Sequence, residues 1–219
     1  MSEGNAPEFR VFENREIAAL TLAAELGEIL ESAIEARRAA ALVVSGGTSP
    51  APMFRQLRER CLDWSKVTIV PSDERDVPLD HLDRNERMIR EELLQGPAAG
   101  ATLCSLIPPG SLPAHFDATV LGMGDDGHTA SLFPQSPDLP AALESTAPLA
   151  RLRAPHLEND RVSLTPRALL ASTRIFLLMF GENKRRVYEQ ALRDGPVSGY
   201  PVRVILRQDS VPVTVFWAD

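Results

Sequence analysis

Cysteine is scarce in this chain: Cys61 and Cys104 are its only thiols, far apart and outside any Cys-x-x-Cys spacing. Their isolation excludes a disulfide framework and a cysteine zinc cluster, and reads as free thiols in a reducing compartment. Histidine is also sparse and scattered, so no familiar metal spacing forms and no metal site is expected. The formal net charge is −7, so an excess of basic residues is missing as well. That balance argues against a nucleic-acid partner, and a phosphate ligand would need a local cluster of cations rather than a global field. No apolar run approaches membrane-spanning length, and Met1–Pro7 lacks the basic-then-apolar pattern of a secretion signal. These absences predict a cytoplasmic protein with no membrane partner.

What is present suits a globular enzyme. With 219 residues, 44% hydrophobic and 24% charged, the chain can bury a substantial core. No repeat or linker divides it, so residues 1–219 read as one domain. Apolar runs alternate with amphipathic stretches, which predicts βαβ units: an α/β, Rossmann-like, doubly wound fold with a mainly parallel sheet and helices on both faces. Strands are expected at Phe9–Phe12, Ala41–Val44, Val67–Val70, Asp117–Leu121, Arg161–Leu164, Arg174–Phe180 and Val211–Trp217, the last at an edge because of Pro212. Helices are expected at Arg15–Arg37, from Pro50 to about Arg60 with Ser49 as N-cap, at Asp83–Leu94 and at Glu182–Leu192. Val202–Leu206 fits either a strand or a short helix. Residues 135–160, rich in Pro and Ala, read as a long excursion.

The most informative stretch is Asp117-Ala-Thr-Val-Leu-Gly-Met-Gly-Asp-Asp-Gly-His-Thr-Ala-Ser-Leu-Phe133. A buried strand ends at Leu121, glycines at 122, 124 and 127 let the backbone turn sharply, and His128–Phe133 reads as a first helical turn. The layout sets Gly124, Asp125, Asp126, Gly127 and His128 at the carboxyl end of a strand, where open α/β sheets bind ligands. Histidine in that position can exchange protons near neutral pH.

Three further turns fall at the carboxyl ends of predicted strands. Ser45-Gly46-Gly47-Thr48-Ser49-Pro50 offers exposed amides, hydroxyls and a helix N-terminus, as an anion cradle does without a Walker lysine; it also fits a well-capped structural turn. Ser72-Asp73-Glu74-Arg75 places a guanidinium that can clamp a phosphate bidentately or pair with Glu74 or Asp76. Gly181-Glu182-Asn183-Lys184 puts a lysine in the first turn of a helix, which an anion nearby, or simple solvation, would explain. Arg161 opens a strand after the Pro-rich excursion and is a weaker candidate.

Taken together, these motifs resemble the 6-phosphogluconolactonase family from Leu42 to the C-terminus. The matching elements are Ser45–Pro50, Asp73-Glu-Arg75 with Val77-Pro78 and Asn85, Gly122–Pro134, Arg161-Val-Ser-Leu-Thr165, Gly181–Lys184 and the terminal Val-Phe-Trp-Ala-Asp219. The Asp-Gly-His-Thr-Ala-Ser-Leu-Phe-Pro run is the most specific. Two departures are Thr48-Ser49, where Ser-Thr is common, and Arg84, where a Ser often precedes the Asn. Neither removes a needed functional group.

The resemblance implies hydrolysis of 6-phospho-D-glucono-1,5-lactone to 6-phosphogluconate in the oxidative pentose phosphate pathway, with no obligatory cofactor. It implies His128 as the base that activates water and Asp126 as the residue that orients it or the sugar hydroxyls. Ser45, Gly46, Gly47, Thr48, Arg75 and Lys184 would hold the phosphate. Asp73, Gly124, Asp125, Gly127 and Arg161 would make other substrate contacts, and amides of the Gly124–Gly127 turn are candidate oxyanion donors. Either a monomer or a homodimer is compatible with it.

Two rivals share parts of this pattern. An amino-sugar-phosphate isomerase or deaminase would continue the histidine turn to a glutamate, where Phe133 stands here; Asp73 fits both activities. A non-catalytic sugar-phosphate sensor would keep the cations and the Ser/Gly loop but would not need His128.

Overall fold

Why the elements form where they do is clearest in α1, Arg15–Arg37, whose Asn14 N-cap side chain accepts a hydrogen bond from the Ile17 amide at 2.9 Å. The helix lays Leu22, Leu26 and Leu30 against the sheet and stops where Arg38 turns left-handed. The computed structural model describes residues 6–154 and 157–219, so the expectation for the first five residues lies outside it, as does residues 155–156 of the 135–160 excursion.

The strands are β1 (Glu8–Val11), β2 (Ala40–Val44), β3 (Val67–Pro71), β4 (Asp73–Arg75), β5 (Thr102–Leu103), β6 (Ala118–Leu121), β7 (Leu149–Leu152), β8 (Arg161–Leu164), β9 (Ile175–Phe180) and β10 (Val213–Ala218). The remaining helices are α2 (Ala51–Leu57), α3 (Asn85–Glu92), α4 (Leu139–Glu144), α5 (Pro166–Leu169), α6 (Glu182–Leu192) and α7 (Arg203–Leu206).

Seven strands form a parallel sheet in the order β1-β10-β9-β6-β2-β3-β5. Side chains alternate between its faces, as the pleat demands. In β2, Ala40, Leu42 and Val44 join the core beneath α1, α2 and α3, while Ala41 and Val43 join the core that α6 and α7 cover. In β9, Phe176 and Leu178 face the first core, and Ile175, Leu177 and Met179 the second. The doubly wound α/β fold expected from the sequence is therefore present, and the direction in which successive strands are added across the sheet reverses between β2 and β6. Crevices at such a switch point, at the strands' carboxyl ends, bind ligands in open α/β sheets.

Several local expectations are corrected. β10 lies between β1 and β9, not at an edge; Pro212 just precedes it and its carbonyl accepts the Ile175 amide at 3.0 Å. Ser49 does not cap α2: Pro50 is the N-cap, without a side-chain bond, and the helix ends at Leu57. His128–Phe133 is not a helical turn. Its groups are engaged elsewhere: the Gly124 amide bonds the His128 carbonyl at 2.9 Å, Thr129 Oγ1 the Gly122 carbonyl at 2.9 Å, and the Ser131 amide Ser163 Oγ at 3.2 Å. Val202–Leu206 yields the short helix α7. The excursion contains α4 and β7, and β7 pairs with β8 while β8 pairs with β4 in a small antiparallel sheet.

Candidate active site

The segments after β2, β3, β6 and β9 converge on a cavity of about 330 Å³. Its wall includes Ser45, Gly46, Gly47, Thr48, Asp73, Arg75, Gly124, His128 and Lys184. Asp125 and Asp126 line a neighbouring cavity on the other side of His128, together with Phe133 and Leu157. Gly127 and Arg161 line neither.

The Ser45–Thr48 loop leaves the buried strand β2 with its amides free: those of Gly46, Gly47 and Thr48 make no hydrogen bond to other described residues. Asn85 lies over this loop, so close to Gly46 that a side chain there would collide with it. Asn85 donates Nδ2 to the Asp73 carbonyl at 2.7 Å and accepts from Arg75 Nη1, which also reaches the Asp83 carbonyl at 3.0 Å. Arg75 thus pairs with neither Glu74 nor Asp76 through its side chain. Its headgroup is aimed by neutral oxygens and keeps its charge unneutralised at the cavity wall.

Buried Glu74 sets this arrangement from beneath. Its carboxylate accepts the amides of Asn85 at 2.8 Å, Glu86 at 2.9 Å and Arg75 at 2.7 Å, so it caps α3 from another strand. Burial pushes its carboxyl up, against the pull of those amides and of Arg84. On the opposite face of β4, Asp73 accepts from Ser72 Oγ at 2.8 Å and Ser131 Oγ at 2.5 Å. Arg161 sits across from Arg75 in the β4–β8 pair and donates to the Asn159 and Asp160 carbonyls. Burial, and then the Arg75 charge, lower its proton affinity. Two facing cations in a chain of negative net charge make a local positive field.

His128 stands at the cavity wall with its ring held on two sides. Nδ1 lies 2.6 Å from Asp126 Oδ1, and the Phe133 ring packs with centroids 4.8 Å apart at 58°. Burial opposes the Asp126 charge, but the hydrogen bond and charge of His128 outweigh it and hold that carboxyl below its ordinary value. A carboxylate on Nδ1–H leaves Nε2 as the nitrogen with a free lone pair. Lys184, in the first turn of α6, donates Nζ to the Met123 carbonyl and also lines the cavity.

The expected oxyanion donors are corrected in part. The Gly124 amide is engaged by the His128 carbonyl, and the Gly127 amide by the Gly124 carbonyl at 3.0 Å. Asn85 and Ala130, neither of them among the candidate site residues, also line the cavity. Ala130 has φ +47°, a left-handed backbone rare outside glycine and frequent at functional sites. Asn85 belongs to the matching family elements, but its place in the chain names no role; the tertiary approach of α3 to the loop after β2 supplies one. Among the described residues, no three His, Cys, Asp or Glu side chains group as metal ligands, and no helix is long and apolar enough to cross a membrane.

Comparisons with known proteins converge on one family. The model of glucosamine-6-phosphate isomerases/6-phosphogluconolactonase matches residues 13–112 and 98–217. A curated 6-phosphogluconolactonase of Pseudomonas aeruginosa is 40% identical over 214 residues, covering 90% of this chain and 88% of that protein. One from Neisseria meningitidis serogroup A is 35% identical over 229 residues, covering 95% and 97%. The crystal structure of a 6-phosphogluconolactonase from Shewanella baltica superposes with a TM-score of 0.91 at 36% identity, over 97% of this chain and 98% of that one.

Proposed function

The chain belongs to the glucosamine-6-phosphate isomerase/6-phosphogluconolactonase family, and from that membership we propose that it hydrolyses 6-phospho-D-glucono-1,5-lactone to 6-phosphogluconate with His128 as general base. The observation that carries this reading is the imidazole itself. It shares one cavity with Arg75, Lys184 and the Ser45–Thr48 loop, and its Nδ1 is engaged by Asp126 at 2.6 Å.

In this mechanism the phosphate lies against the free amides of Gly46, Gly47 and Thr48, Ser45, Arg75 and Lys184, with Arg161 adding charge from across β4. Asp73, fixed by two hydroxyls, receives sugar hydroxyls, and Gly124, Asp125 and Gly127 shape the turn beside the ring. Water attacks the C1 carbonyl as Nε2 takes its proton, and Asp126 stabilises the imidazolium that forms. The tetrahedral intermediate collapses, the C1–O5 bond breaks, and the imidazolium returns its proton to O5. The ring ester is reactive enough that neither a covalent nucleophile nor a metal is required.

The isomerase or deaminase alternative needs further acid/base groups to move protons between C1 and C2. Phe133 packs on the imidazole instead, and an apolar ring cannot relay a proton. We assign the activity to the cytoplasm, where a phosphorylated sugar lactone is confined, and leave monomer and homodimer as the two assemblies to be distinguished by light scattering. The direct test is release of acid from freshly made 6-phosphogluconolactone against its spontaneous hydrolysis. A rate equal to the spontaneous one refutes the proposal.

A further inference from the structure

The turn that carries His128 is neither helix nor strand, yet a general base must be held within hydrogen-bond reach of its water. One end of this turn is gripped by α6 and the other by a segment fastened to α6. At the near end, Lys184 donates Nζ to the Met123 carbonyl. At the far end, Gly127 adopts φ +76°, and its Cα lies so close to the Tyr200 ring that a Cβ would overlap it. The Gly127 carbonyl accepts the Val202 amide at 2.9 Å.

Tyr200 and Val202 are in turn fastened to the other end of α6. The Tyr200 hydroxyl donates to Gln190 Oε1 at 2.6 Å, and the Arg203 guanidinium lies 4.9 Å from the Tyr200 ring centroid. Arg203, buried, donates to the carbonyls of Ala191 at 2.9 Å, Gln190 at 3.1 Å, Arg193 at 2.9 Å and Pro196 at 2.7 Å. A cation at the closing carbonyls of a helix satisfies acceptors that have no intrahelical partner. The result is a closed loop of contacts: Met123, Lys184, α6, Arg203, Tyr200, Gly127.

From this geometry we propose that Tyr200 is a positioning residue for the reaction. Its ring, anchored to the end of α6, backs Gly127 and so sets how far His128 reaches into the cavity. α6 thereby registers the base against the lysine near its own N-terminus. The proposal rests on the reading of His128 as the base, and its test separates the two.

Tyr200 is half-buried and packs at the margin of the core that α6 and α7 cover. Tyr200→Leu removes the ring, whereas Tyr200→Phe keeps the ring and loses only the Gln190 bond. Tyr200→Leu is expected to lower kcat about 10- to 100-fold, the order expected for a displacement of about 1 Å, with KM nearly unchanged. Tyr200→Phe is expected to restore most of it. In NMR spectra the His128 Nδ1 proton should exchange faster with solvent in the Leu variant and not in the Phe variant, a readout that needs no turnover. If the wild type fails to hydrolyse the lactone, the functional reading falls and the imidazole signal still judges the brace. Wild-type kcat in Tyr200→Leu overturns the proposal. So does a loss of kcat with no change at the imidazole, a rise in KM as steep as the fall in kcat, or a Phe variant as damaged as the Leu one.

Discussion

At the scale of single residues, the proposed chemistry divides between one imidazole and two cations. His128→Asn keeps the cavity and its phosphate contacts but removes the base, so kcat should fall about 10²- to 10⁴-fold while product binding persists. Steady-state kinetics with calorimetry of 6-phosphogluconate binding measures both, and a variant with nearly full kcat removes His128 from the mechanism. Arg75→Ala and Lys184→Ala should act on KM, because charge-assisted contacts are worth about 1.5–3 kcal/mol each, or roughly 10- to 150-fold. Unphosphorylated gluconolactone should be nearly indifferent to either change; equal weakening of both lactones contradicts the phosphate assignment. Asp126 makes a pH prediction. Its carboxyl titrates lower in the folded protein than in the unfolded chain, so its contribution to stability is present above the unfolded value, about 3.9, and is lost as pH falls through the lowered one. In urea titrations the gap between wild type and Asp126→Asn should narrow as pH falls below about pH 4. A gap that widens toward acid reverses the sign and rejects the assignment.

At the scale of elements, local chemistry and packing account for different features. α1 has caps at both ends and a face of Ala and Leu, and it occupies the residues that its periodicity predicts. Asn14→Ala removes its one N-terminal side-chain bond and should cost about 1 kcal/mol, or about 2–4 °C in Tm for a chain of this size. An unchanged melting curve means the helix end is held by packing alone. The His128–Phe133 segment is the opposite case. Its residues are compatible with a helix, but Asp73 and Ser163 of the small sheet capture Ser131, and the segment closes instead into a tight turn in which the Leu132 amide bonds the Thr129 carbonyl at 3.0 Å. β4 was legible only as a turn, because a three-residue strand has no period to read; it exists by pairing with β8, which is remote in sequence.

At the scale of the whole molecule, the two thiols lie outside the cavity wall. Cys61 is exposed, while Cys104 is buried and its thiol pushed up by that burial. A thiol reagent should therefore label Cys61 in the native protein and Cys104 only after unfolding, with lactone hydrolysis retained in the labelled native protein. Turnover should equally survive exhaustive chelation, since the proposed steps need only water, His128 and Asp126. Activity lost to chelator and restored by one specific metal would make the attacking water metal-bound and free His128 from its role as base.

By itself the sequence determined the doubly wound α/β class, the strand ends where chemistry gathers, and the histidine and cations placed there. These are written in local terms: apolar period, glycine-rich turns, and histidine, arginine and lysine just beyond strands. Only the tertiary structure decided that Asn85 covers the Ser45–Thr48 loop, that β10 is interior despite Pro212, and that the Gly124 and Gly127 amides are already hydrogen-bonded within the turn. It alone set Tyr200 behind the turn that carries His128. Each of these depends on which distant segment satisfies a given backbone group or fills a given space, and residue spacing along the chain carries no record of that choice.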